Sequence, residues 1–120
     1  MMEVLYVTNA DADGNRFLIG ELTKTNEGYT FRYTPDAPGK SEGFIKIPTF
    51  TELDREYVSK NLFLFFGSRL IDKARPDLPQ ILESYNLDSY DDWNLLKASR
   101  GRLMIDRYEL LPNSSSIGEG

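Results

Sequence analysis

Tyr29-Thr30-Phe31-Arg32-Tyr33-Thr34 alternates aromatic and polar residues without a break. A period of two puts Tyr29, Phe31 and Tyr33 on one face, the pattern of a half-buried strand. Upstream, Asn26-Glu27-Gly28 supplies a turn. Residues 16–24 form a second strand, with Phe17, Ile19 and Glu21 predicted on one face and Leu18 and Leu22 on the other. Asn9-Ala10-Asp11-Ala12-Asp13-Gly14-Asn15 consists of turn formers, and Val4-Leu5-Tyr6-Val7-Thr8 before it is rich in β-branched and aromatic residues. Three strands joined by short turns make an antiparallel meander.

Downstream, residues 35–43 hold two prolines and two glycines and read as a loop. Phe44-Ile45-Lys46-Ile47 is predicted as a short strand ended by Pro48, and residues 49–56 as an extended crossing segment. Helical signals dominate the second half. Ser59 is placed to cap a helix bearing Leu62, Phe63, Phe65, Phe66 and Leu70, with a buried strand over 62–66 as the competing reading. Leu78, Ile81, Leu82 and Tyr85 follow helical spacing behind a potential Asp77 cap. Ser89 and Asp92 resemble a capping box for a third helix with Tyr90, Trp93 and Leu96 on one side, Lys97 and Arg100 near its end, and Gly101 as its stop. Leu103-Met104-Ile105-Asp106-Arg107-Tyr108-Glu109-Leu110 reads as a last strand. The expected fold is α+β: a small, partly barrel-like antiparallel sheet of about five strands with two to three helices in the second half. Residues 1–112 form one domain and 113–120 a flexible polar tail.

With 120 residues, 40% of them hydrophobic, and seven Tyr, seven Phe and one Trp, the chain can build one real core. The longest apolar run, 62–66, is far below the roughly 20 residues that span a bilayer. The opening Met-Met-Glu-Val lacks the features of a signal peptide, and without cysteine a cytoplasmic setting is the default expectation. Having neither Cys nor His, the chain has no thiolate nucleophile and no imidazole base, and a zinc site would need carboxylates alone. General acid–base work would fall to Asp, Glu, Lys or Tyr. The 14 basic and 19 acidic residues give net −5, which opposes non-specific binding to phosphate backbones.

Individual motifs favour structural roles. Asp11-Ala12-Asp13-Gly14 looks like the start of a calcium loop, yet position twelve is Leu22 and the flanks are strands, so turn chemistry is expected. Asp91 and Asp92 are adjacent and would point about 100° apart on a helix, so capping explains them better than a shared ion. Trp93 is read as core, although Trp also anchors interfaces. Arg69-Leu70-Ile71-Asp72-Lys73-Ala74-Arg75-Pro76 mixes apolar and cationic residues in a loop. It reads either as an interface or as an ordinary solvated loop with Leu70 tucked inward. Arg100 and Arg102, either side of Gly101, could extend a basic patch.

The order of several stretches resembles the N-terminal subdomain of HipA-type toxin kinases. Gly20-Glu21-Leu22-Thr23-Lys24 followed by Gly28-Tyr29-Thr30-Phe31-Arg32-Tyr33 is similar to the family's Val-Gly-Glu-Leu and Phe-x-Tyr strands. Leu64-Phe65-Phe66-Gly67-Ser68-Arg69-Leu70 resembles its Phe-Phe-x-Asn-Leu-Leu, and Asp91-Asp92-Trp93-Asn94-Leu95-Leu96 its Phe-Asp-Leu-Leu, followed by Gly101 and a strand. The likeness runs over residues 4–112. The kinase's glycine-rich loop, catalytic-loop signature and Asp-Phe-Gly motif do not occur. The resemblance therefore implies a non-enzymatic regulatory module like HipS, the separate subunit that restrains the kinase HipT in three-gene systems. It implies a HipA/HipT-like kinase as partner and, indirectly, a HipB-like DNA-binding protein, with no cofactor, metal, membrane or direct nucleic-acid role. The family's Pro-Asp/Glu-Gly-Trp loop is replaced by Ile71-Asp72-Lys73-Ala74, so an aromatic plug from this loop is not available. The expected contact residues are Arg69, Leu70, Ile71, Asp72, Lys73 and Arg75, with Arg100 and Arg102. The alternative is a nucleic-acid accessory domain of the HIRAN-associated type using the same cations. A carboxylate-dependent hydrolase is a third, less supported reading.

Overall fold

Among the described residues five strands pair antiparallel in the order β4-β3-β2-β1-β5 and three helices accompany them, so the fold is α+β. The structure, a computed structural model, describes residues 2–35 and 46–113. The strands are β1 (Glu3–Ala10), β2 (Arg16–Thr25), β3 (Gly28–Tyr33), β4 (Tyr57–Ser59) and β5 (Glu109–Leu111). The helices are α1 (Leu64–Gly67), α2 (Leu78–Ser84) and α3 (Asp92–Ser99). The sheet stays open, with β4 and β5 at its edges.

The alternation in β3 works as its sequence predicts: Phe31 and Tyr33 are buried and Tyr29 packs against the same core, its ring 6.0 Å from that of Trp93. Leu5, Leu22 and Phe31 form one rank across three strands, and Val7, Gly20 and Tyr33 the next. The Phe31 ring lies over Gly20, where an added Cβ would come within 2.7 Å of it. The meander turn is built by Asp11, whose carboxylate accepts from the Asp13 and Asn15 amides at 2.9 Å.

One face assignment is corrected. The β1–β2 register shifts between Val7 and Thr8, leaving Ile19 as an extra residue between the pairs Val7–Gly20 and Thr8–Leu18. The bulge reverses the parity of β2, so Leu22 is buried with Phe17 and Ile19 while Leu18 and Glu21 are only half-buried.

Over this face lies an aromatic cluster. Phe50 stacks on Phe31 with centroids 4.4 Å apart, and Phe66 of α1 packs on both. Burying each such ring stabilises the fold by roughly 1.5–3 kcal/mol. The Tyr33 hydroxyl accepts from the Ile47 amide (2.8 Å) and donates to the Phe50 carbonyl (2.6 Å), holding the segment that carries Phe50. Burial pushes its phenol up to about 12.

Several boundaries differ from the sequence reading. Phe44 and Ile45, most of the 35–43 loop, and residues 114–120 lie outside the described residues; Lys46 and Ile47 are not in a strand. The fourth strand is Tyr57–Ser59, paired with β3. Ser59 therefore caps no helix; α1 begins after Phe63, without a side-chain cap, and is four residues long. Asp77 sits at the N-cap of α2, but its carboxylate is taken by Arg75 and makes no capping bond. The cap of α3 is Asp91 rather than Ser89, accepting from the Asn94 amide at 2.9 Å. Trp93 is core, 1% exposed, as expected. Its indole and Lys97 both donate to Glu3, tying α3 to β1. Arg100 and Gly101 then both adopt positive φ, near 60°, and turn the chain away from α3. The predicted strand over 103–110 shrinks to Glu109–Leu111, because residues 104–106 form a turn. Among the described residues no helix is long and apolar enough to cross a membrane.

Candidate interaction surface

The loop after α1 was expected to present its cations to a partner. Arg69 instead turns inward, its side chain 2% exposed. Its Nε donates to the Gly101 carbonyl, its two terminal nitrogens pair with the Asp106 carboxylate, and the guanidinium lies against both the Phe65 and Tyr108 rings, 5.1 and 5.3 Å from their centres. A cation is buried only where its donors are met. All of these partners except Phe65 lie more than 30 residues away in sequence.

The remaining predicted residues divide between a concavity and its surroundings. Arg69, Leu70, Ile71, Asp72 and Arg75 of the loop line a cavity of about 370 Å³, closed by Tyr85 at the end of α2, Leu95 and Ser99 of α3, and Arg102 with Leu103. Six of the eight predicted residues thus meet at one place. Lys73 lies outside it, its ammonium 4.9 Å from the Tyr90 ring centre. Tyr90 in turn donates to the Ile71 carbonyl at 2.8 Å, fixing the loop from behind. Arg100 also points elsewhere, to Glu109 at 3.3 Å.

Within the cavity the charges are unequal in availability. Arg75 and Asp77 form a two-pronged pair at 2.8 Å; the bonds from Arg75 hold the Asp77 carboxyl below its ordinary range. Both are half-exposed, so the pair contributes little to stability. Asp72 accepts from the Ala74 amide at 2.8 Å and shapes the turn. The exposed Arg102 has no side-chain partner among the described residues. A ligand therefore meets apolar walls from Leu70, Ile71, Tyr85 and Leu103, with cations at the rim.

A second cavity, of about 320 Å³, shares Arg102 and Leu103 and adds Arg16, Asp106, Arg107 and Tyr108, with Ala10 and Gly14 at its edge. Across the two, five arginines face two aspartates, on a chain of net charge −5. Arg16 is held by Thr8 (2.8 Å), the Arg107 carbonyl (3.0 Å) and Glu109 (3.5 Å). Burial raises the Tyr108 phenol, with a further contribution from Asp106. Arg102 and Leu103, which line both cavities, are followed directly by Met104 and Ile105, both fully or nearly fully exposed. Arg16, Met104, Ile105 and Arg107 escaped the sequence reading. The signal was present, since Arg102-Leu103-Met104-Ile105-Asp106-Arg107 has the same mixture of arginine and apolar residues that singled out 69–76.

Among the described residues no group of three or more carboxylates is placed to hold a metal ion. No protein-family model matches the chain, and the comparison with curated proteins finds no match.

Proposed function

We propose that this protein is a non-enzymatic regulatory module that binds a HipA-type Ser/Thr kinase, in the manner of HipS. The observation that carries the reading is the apolar cavity rimmed by Arg75 and Arg102, which gathers Leu70, Ile71, Asp72, Arg75 and Arg102 of the expected contact residues, with Arg69 buried in its wall. An apolar centre with an arginine-bearing polar edge is the usual anatomy of a protein interface. The ordered resemblance over residues 4–112 names the kind of partner. Regulation is then steric or conformational: the module occupies a kinase surface and shifts the equilibrium between open and closed kinase states by its differential affinity for them.

A protein partner is favoured over nucleic acid because Arg69, Arg75 and Arg100 already pair with carboxylates and Lys73 rests on Tyr90. Few cations are left to neutralise phosphates. Titration calorimetry of the purified protein against a HipT-type kinase from the same genome tests the proposal. Binding is expected, weakened at least tenfold by Arg75→Glu with Arg102→Glu. Absence of binding by the wild-type protein refutes it. Salt-dependent DNA binding abolished by the same charge reversals would replace it with the nucleic-acid reading.

A further inference from the structure

One buried guanidinium closes the base of the turn that follows Leu103, a residue shared by the two cavities. Arg69 reaches Gly101 on one stem and Asp106 on the other. Asp106 also accepts from the Tyr108 amide at 3.2 Å. The outer stem is tied again at Arg107, which donates to the Asp11 carbonyl while its own carbonyl accepts from Arg16. Leu103 is half-buried between the cavities, and beyond it Met104 and Ile105 stand in solvent, Ile105 at 87% exposure.

Isolated exposed apolar residues are ordinary, and Met2, Val58 and Leu64 are of that kind. Met104 and Ile105 differ in being adjacent, on a turn held at both stems, directly after the two residues that line both cavities. Such a turn contributes nothing to folding by exposing them. It has, however, already met the ordering cost that a partner would otherwise impose.

We infer that Met104 and Ile105 are the anchor of the docking surface, entering an apolar socket on a protein partner whose rim carries carboxylates. The inference rests on the regulatory-module reading above and specifies where the kinase makes contact. Complementary charge follows from Arg102 and Arg107 flanking the tip, with Arg16 behind them. Protein is the occupant because protruding side chains can fill the cavities of about 370 and 320 Å³ that meet at Arg102 and Leu103 beside the tip, whereas a lipid surface leaves them empty. A chain of net charge −5 is also repelled by an anionic leaflet.

Three proteins test this by calorimetry against the same HipT-type kinase: wild type, Met104→Ser with Ile105→Ser, and Leu64→Ser as a control for loss of exposed apolar surface elsewhere. Equal urea midpoints verify folding, which is expected because these side chains stand in solvent. The double variant should bind at least thirtyfold more weakly and Leu64→Ser within twofold of wild type. A double variant that binds like wild type overturns the anchor and leaves the module reading standing. A wild-type protein that does not bind removes both. Co-sedimentation with phosphatidylserine/phosphatidylcholine vesicles, lost in the double variant, would overturn the protein socket in favour of a lipid surface.

Discussion

Replacing Asp106 by Ala leaves the Arg69 guanidinium in a site where its side chain is 2% exposed, with the Gly101 carbonyl and two rings as its remaining partners among the described residues. Breaking a buried ion pair from one side costs about 3–5 kcal/mol, and the lower end applies because Asp106 is itself 28% exposed. Asp106→Ala should therefore cost about 3 kcal/mol. In an Arg69→Met background no cation is stranded. The same replacement then forfeits only the bond from the Tyr108 amide, about 1 kcal/mol. The two sites should show a coupling of about 2 kcal/mol. Urea unfolding at pH 7 reads this directly: with a slope of about 1.5 kcal/mol per molar, Asp106→Ala moves the midpoint by about 2 M in the wild-type background and well under 1 M in the variant background. An equal cost in both backgrounds would refute the buried clamp.

Tyr33→Phe should cost about 2 kcal/mol, since the buried Ile47 amide loses its acceptor and the Phe50 carbonyl its donor. Because burial raises the Tyr33 phenol from 10.0 to about 12, its stabilising contribution is complete below pH 10 and is lost as pH rises toward 12. The variant should accordingly fall less steeply than wild type in an alkaline unfolding series. Glu3 has the opposite sign: hydrogen bonds from Lys97 and then Trp93 hold its carboxyl below 4.5, so its contribution is present above that pH and fades as the solution is acidified through the lowered value. Glu3→Gln should be less stable than wild type at pH 7, and the two midpoints should converge as acidification protonates Glu3 in the folded protein; parallel curves would contradict the Glu3 contacts. Gly28→Ala should destabilise by about 2 kcal/mol or more, because φ is 144° and the added Cβ would collide with the Ser59 carbonyl and approach the Lys60 Cα to 2.9 Å. Loss of amide protection confined to residues 57–59 would be its signature in hydrogen exchange.

Local pattern carried the meander. Tyr29, Phe31 and Tyr33 are a period-two set whose neighbours agree with it, and Asp11 and Gly14 have turn chemistry of their own. Where the sequence misled, something distant intervened. Leu18 and Leu22 share a parity along β2, yet the bulge at Ile19 separates them, and it is defined by pairing with β1. β4 is three residues long and gains its strand character from β3. Residues 103–108 have an apolar composition suited to a strand, and Arg69 looks like a surface cation. Both readings fail for the same reason, because Arg69 and Asp106 meet across 37 residues. The loop at 69–76 stood out by its mixed apolar and cationic composition, but nothing in that composition announced a cavity. Its other walls, and the exposed tip beside it, came from the chain's path after α3.

The sheet order also has a consequence for synthesis. β1 lies between β2 and β5, so the hydrogen bond from Thr8 to the Glu109 carbonyl spans 101 residues. A nascent chain can assemble β1, β2 and β3 early, but it cannot complete the clamp on Asp106 or dock β5 until almost the whole domain has left the ribosome. Any contact made through the tip is thereby withheld until the domain is nearly complete, so shorter nascent chains would not compete for such a contact.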